Sequence, residues 1–417
     1  MKKTFRIAVR RFGPFETAME KIWESFCAQT GCTLAVEMVP MDLHPLYDAL
    51  LGSGGLRKGD WDVAHINTDW LCEARAAGTL ENLSPWIAAR PPALFPGGWS
   101  TSLLQVQQFG EQVTGLPFHD GPECLIYRRD LFEDEGEKKR YFDLYGTALE
   151  PPRTWDAFLQ TARFFQRPAQ GLYGTVFAGY PDGHNTVFDF ALQVWTRGGS
   201  LTDRDNRVSI DTEAAREGMQ FYRSLFQQGD AIHPGSKGFD SVQAGMAFAR
   251  GEVAMMVNWF GFASMCEVIA ESAVKGKVDI TTIPGSAAGR PASLNVYWVY
   301  AVGSGSVHKE VAYDFIRHAV SMHNDKLLTL EGGIGCRLST WHDPDVNRTV
   351  PYYHKLEELH RHARSLPQKA NWSQIAAVID EVVLDAVNTQ QPLRGLLQKG
   401  QEKINLLDQT SSHDDSL

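Results

Sequence analysis

Short β-like runs alternate with helical periodicities from the start of the chain. Thr4 to Val9 reads as a strand. Phe15, Met19, Ile22, Trp23, Phe26 and Cys27 then recur at the spacing of one helix face, with Pro14 at the entry and Gly31 where a left-handed cap would sit. Cys32 to Val39 is a strand again. A helix over about 43–51, a strand over 61–66 and a helix over 69–77 stopped by Gly78 complete βαβαβα, the pattern of a mostly parallel α/β sheet.

The pattern changes near Gly115. Residues 116–132 read as extended, and helices dominate after them: Thr154 caps 155–165, 187–196 follows, and Thr212 caps 213–226. The spacing predicts a helix over 241–250, a strand over 253–257 and a helix over 262–274. Strands over 277–283 and 296–302 precede helices at about 309–320, 325–331, 352–364, 373–388 and 393–407. The polar residues from 409 to 417 are expected to be disordered. There is no repeat and no low-complexity linker, so two lobes would be joined without a flexible tether, as in a cleft protein.

At 417 residues, 43% hydrophobic and 22% charged, the chain is long enough for two cores and too apolar to be disordered. Its net charge of −10 argues against a phosphate-binding face, so no nucleic-acid partner is expected. The longest apolar stretch, residues 253–266, is interrupted by Asn258 and falls short of the roughly 18 to 20 residues that span a bilayer. Lys2 and Lys3 precede an apolar run that Arg10 and Arg11 break after Val9, so no leader is expected in this sequence. Cys27, Cys32, Cys72, Cys124, Cys266 and Cys336 show no metal-type spacing and read as small buried hydrophobes, with a local Cys27–Cys32 disulfide as the alternative in an exported chain.

Phosphate-cradle, nucleophile-elbow and zinc-protease motifs are absent, and no cofactor or metal is expected. His354, His360 and His362 point in divergent directions on a helix and read as a solvated surface. Asp120 and Glu123 are the carboxyl types glycoside hydrolysis uses, although Pro122 between them favours divergent side chains that accept from ligand hydroxyls.

Polar and aromatic residues gather where loops leave the carboxyl ends of the predicted strands, the place where open α/β sheets bind ligands. The candidates are Phe12; Asn67, Asp69 and Trp70; His119, Asp120 and Glu123; Tyr180, His184 and Asn185; Trp259 and Phe260; and Asn295, Tyr297 and Trp298. Asp, Asn, Glu and His side chains bond vicinal hydroxyls, and flat aromatic rings cover the C–H face of a sugar ring. The mixture suits a carbohydrate or polyol.

Several ordered stretches carry a family resemblance. They are Trp61-Asp62-Val63-Ala64, Asp69-Trp70-Leu71, Ala77 to Leu83, Gly115 to Phe118, Leu125 to Phe132, Pro151 to Phe158, Phe248 to Asn258, and Gly332-Gly333 with Arg337. Together they resemble the extracellular solute-binding proteins, family 1, the sugar-binding proteins of ATP-driven importers that include the maltose-binding protein. Asn258-Trp259-Phe260-Gly261 and Gly335-Cys336 depart from that pattern, so ligand identity does not carry over.

The resemblance implies an α/β fold of the periplasmic-binding-protein-like II type, two lobes around a ligand cleft with a hinge. It implies lobe one over 1–117 and 262–302, and lobe two over 118–261 and 303–408. It also implies a hydroxyl-binding acid at Asp69, closure on a sugar or polyol, recognition by an ABC permease in the membrane, a monomer, and no chemistry on the ligand. Localisation follows as periplasmic or extracellular, with a cytoplasmic reading left open by the missing leader. The alternatives are a carbohydrate-active hydrolase and a ligand sensor for a signalling partner.

Overall fold

The computed structural model describes residues 4–286 and 290–414, with side chains through residue 408. The strands of its two main sheets are β1 Thr4–Arg10, β2 Ala35–Met41, β3 Val63–Asn67, β4 Leu116–His119, β5 Glu123–Arg128, β6 Tyr173–Val176, β7 Val253–Trp259, β8 Val278–Thr281 and β9 Trp298–Val302. The longer helices used below are α1 Gly13–Thr30, α2 Trp155–Phe165, α3 Asn185–Trp195, α4 Glu213–Gln228, α5 Lys309–Ala319, α6 Met322–Leu330, α7 Trp372–Asn388 and α8 Leu393–Asp414.

Contacts divide the chain into two units. The first comprises residues 1–121, 296–357 and 368–370, and the second 122–295, 358–367 and 371–417. This grouping differs from the expected lobes in the second half of the chain. Residues 262–295 stay with the second unit because β8 is a strand of that unit's sheet, paired to β5. Residues 303–357 join the first because α5 follows β9 and covers its sheet through Phe315.

In the first unit the sheet runs β2-β1-β3-β9-β4, with β1 parallel to β2 and β3, and β9 antiparallel to β3 and β4. Helix α1 begins with Pro14 in its first turn and ends at Gly31, whose φ of 71° and ψ of 19° are the left-handed geometry that favours glycine. Its inner face buries Phe15, Met19, Ile22, Trp23 and Phe26. Trp23 stacks on Phe5 at 5.1 Å and meets Phe315 at 5.2 Å. Each such ring contributes about 1.5–3 kcal/mol by burial.

In the second unit the sheet runs β8-β5-β7-β6, with only β6 and β7 parallel. Thr154 and Thr212 cap α2 and α4 as their positions predict, accepting from the Ala157 and Ala215 amides. Such a cap is worth about 1 kcal/mol.

Some expectations need correction. The helix predicted over 262–274 spans Phe260–Val268 and stops where Ile269 turns extended, at ψ 146°. The helix predicted over 352–364 breaks into a short turn at Tyr353–Lys355 and a helix Leu356–Arg361, and His360 is buried rather than solvated. Residues 409–414, expected to be disordered, continue the backbone of α8, while 415–417 lie outside the described residues. Among the described residues no helix is long and apolar enough to cross a membrane.

Candidate functional site

In the first unit, three neighbouring strands end side by side. Trp298, the first residue of β9, is opposite Asn67 at the end of β3 and opposite His119 at the end of β4. The β9–β4 register slips after this pair, because Pro117 rather than Phe118 opposes Val299. A bulge of this kind re-aims the side chains beside it.

The loop after β3 is tied down by local bonds. Asn67 Oδ1 accepts from the Asp69 amide at 3.4 Å, which turns the chain into a short 3-10 helix at Thr68–Trp70. The Thr68 amide donates to the Tyr297 carbonyl at 2.9 Å, and the Thr68 hydroxyl accepts from the Tyr297 amide at 3.1 Å. Trp70 is buried, edge-on to Trp298 at 5.7 Å and to Tyr47 at 5.4 Å. Phe12 lies in extended backbone after β1 and is 37% exposed.

His119 is held by its backbone surroundings. Its Nδ1 accepts from the Ile334 amide at 3.0 Å, so the ring proton resides on Nε2. The Asp120 amide donates to the Ile334 carbonyl at 2.9 Å. Burial lowers the His119 pKa to about 4, with the Asp120 charge acting the other way. Fully buried His65 follows the same logic. Its Nδ1 accepts from the Arg10 amide at 3.2 Å, and burial, then neighbouring His119, hold its pKa well below the usual value. Both rings are neutral.

In the second unit, Glu123 opens β5 directly across from Trp259, the last residue of β7. Trp259 is half-buried, with its ring edge-on to Phe188 at 5.5 Å. Asn258 pins the turn, donating to the Ser241 carbonyl at 3.0 Å and accepting from the Trp259 amide at 2.8 Å. The Glu123 carboxyl is buried, and its Oε2 has no hydrogen-bond partner among the described residues. Burial, then the charge of Asp189, pushes its pKa well above the usual range. Asp189 itself is raised to about 7 by burial, opposed by the Tyr222 hydroxyl, which donates to it at 2.6 Å. Sequence reading missed Asp189. The signal was there, a lone acid inside the apolar run of α3.

Several expected ligand residues are committed elsewhere. Phe260 is fully buried at the start of its helix, and Tyr297 is 1% exposed with its hydroxyl donating to Gln107 Oε1. Both belong to the core. Asn185 gives its amide group to Asp182 Oδ2 at 2.6 Å, while Asp182 Oδ1 accepts from the His184 and Asn185 amides at the start of α3. The His184 ring packs on Phe188 at 5.6 Å. Asn295 is buried, and its backbone amide donates to the Arg364 carbonyl at 2.8 Å. Tyr180 is 50% exposed. Asp120 and Glu123 fall in different units. Among the described residues no cluster of His, Cys, Asp and Glu has the arrangement of a metal site.

Comparison with known proteins supplies the wider frame. Residues 43–324 match the family described as bacterial extracellular solute-binding protein. A probable ABC transporter-binding protein of Deinococcus radiodurans is 24% identical over 369 residues, covering 86% of this chain and 81% of that protein. Among solved structures, the solute-binding protein of Agrobacterium radiobacter K84 in complex with ribitol superposes with a TM-score of 0.84 at 24% identity, over 97% of this chain and 98% of that one. Maltose-bound MalE3 of T. maritima gives 0.83 at 24% identity, over 97% and 99%. These likenesses show that the two units carry the fold of the solute-binding proteins.

Proposed function

This chain belongs to the bacterial extracellular solute-binding proteins, and on that premise we propose that it binds an uncharged sugar or polyol for delivery to an ABC permease. Members of this family bind a solute and do not convert it. Periplasmic placement accords with the family's extracellular setting.

One observation carries the ligand class, the row Asn67, Trp298 and His119 on three adjacent strand ends. A half-buried indole offers a flat apolar face, and it is flanked by an amide and by an imidazole whose Nε2–H is a fixed donor. Asp69 and Asp120, which follow Asn67 and His119 closely in the chain, add carboxyl acceptors to the same two strand ends. In the second unit Trp259 and Glu123 repeat the pairing of an indole with a polar group. Relatives bound to ribitol and to maltose point the same way.

The test is a thermal-shift and calorimetric screen with ribitol, maltose and related sugars and polyols. A ligand at 100 times its dissociation constant adds about 2.7 kcal/mol of stability, enough to move the midpoint by several degrees. Absence of any shift across neutral sugars and polyols, with a shift from an amino acid or a phosphorylated solute, would overturn the ligand class. Steady release of a reducing sugar from a glycoside would overturn the binding-only reading.

A further inference from the structure

We propose that Cys27 and Cys32 are a disulfide-forming pair that staples the C-terminus of the first helix. The cap geometry places them together. The Gly31 amide donates to the Cys27 carbonyl at 2.9 Å with Gly31 in the left-handed conformation. A glycine cap is frequently accompanied by contact between the side chain four residues before the glycine and the side chain just after it, in most cases apolar. Here those two positions are both cysteine. Thr30 fixes the turn from inside, its hydroxyl donating to the Phe26 carbonyl at 2.7 Å and accepting from the Cys32 amide at 3.3 Å.

Burial first, then the Cys32 thiol through its charge and as a hydrogen-bond partner, raises the Cys27 pKa. Both cysteines are half-buried and within reach of an oxidant, whereas Cys124, Cys266 and Cys336 are buried. Cys72 is half-buried and serves as an internal control. The family's extracellular setting is the kind of environment in which such bonds form and persist.

The chemistry needs one disulfide oxidant, such as glutathione disulfide. One cysteine thiolate attacks it and expels a glutathione thiolate, leaving a mixed disulfide. The second thiolate then attacks the protein-side sulfur and expels the other glutathione. The two thiols lose two electrons and two protons, and the oxidant becomes two glutathiones.

The full-length, reduced chain is exposed to glutathione disulfide and blocked with a maleimide. It is then reduced and labelled a second time, and its peptides are mapped by mass. The expected result is that Cys27 and Cys32 lose maleimide reactivity together, carry no retained glutathione, and take the second label only after reduction, while Cys72 blocks as before. Cys27→Ser should leave Cys32 holding a stable glutathione adduct. Gly31→Ala, which strains a position with φ of 71°, should slow closure several-fold without changing Cys72. Persistent glutathione on either cysteine of the wild-type chain, or blocking of both as fast as Cys72, would overturn the proposal. None of these outcomes depends on the ligand, so failure here and failure of the sugar-binding reading are told apart.

Discussion

In the first unit two imidazoles, His65 on β3 and His119 at the end of β4, and in the second two carboxyls, Glu123 at the start of β5 and Asp189 in α3, are all moved by burial toward their neutral forms. Desolvation penalises whichever form is charged, so it lowers the histidines and raises the acids. The two kinds of group respond to pH in opposite senses. Between about 4 and 6.5 an unfolded histidine binds more protons than His119 does, so the stability it contributes is full above 6.5 and is lost as pH falls. Between about 4 and 7 folded Asp189 binds more protons than the unfolded chain does, so its contribution is full below about 4 and is lost as pH rises.

The largest expected effect separates neighbours in one turn. Phe260→Ala should cost about 3–5 kcal/mol of stability by opening a cavity in the second unit, read as a shift in the urea midpoint, with affinity of the folded protein unchanged. If ligand binding falls instead, Phe260 is not a core residue.

The pH contrast comes next. Asp189→Asn keeps an acceptor for the Tyr222 hydroxyl and removes the titration. The stability lost as pH rises between about 4 and 7 should shrink, with neighbouring Glu123 still titrating in what remains. Peptide-resolved amide exchange across that range measures it, and an undiminished slope in the variant would assign the titration elsewhere. His119→Gln should leave that titration alone and reduce the loss on the acid side, with His65 supplying part of the remainder.

Trp259→Ala should weaken sugar or polyol binding by ~1–3 kcal/mol, about 5- to 150-fold by calorimetry, and leave the urea midpoint nearly in place. A matched loss at Trp298 would show that the two units contribute alike, and a one-sided loss would show which indole faces the ligand. The smallest effect is that of Asp69→Asn, about 1 kcal/mol in affinity with an unchanged melting temperature. Unchanged affinity would leave Asp69 as a helix-turn residue only.

Local rules made much of the fold legible. Pro14 and Gly31 bound the first helix, Thr154 and Thr212 start two others, and the β–α alternation predicts the first sheet, because each of these depends on residues a few positions apart. The order of short motifs from Trp61 to Arg337 was enough for the family. The amino-acid sequence by itself also determined which residue types gather at the strand ends. Tertiary structure alone decided how they are used. Trp259 and Phe260 are adjacent and equally aromatic, as are Trp298 and Tyr297, and in each pair one ring lies half-exposed while the other is buried. Strand register and packing against distant elements choose between them, and hydropathy is blind to that choice. Asp189 is raised by burial in its helix, beside a Glu123 that lies 66 positions earlier in the chain. The assignment of residues 262–295 to the second unit rests on β8 pairing with β5 across a long stretch of chain. Periodicity reports which residues are apolar, whereas burial of a charge and the pairing of remote strands arise only when the folded backbone brings those groups together.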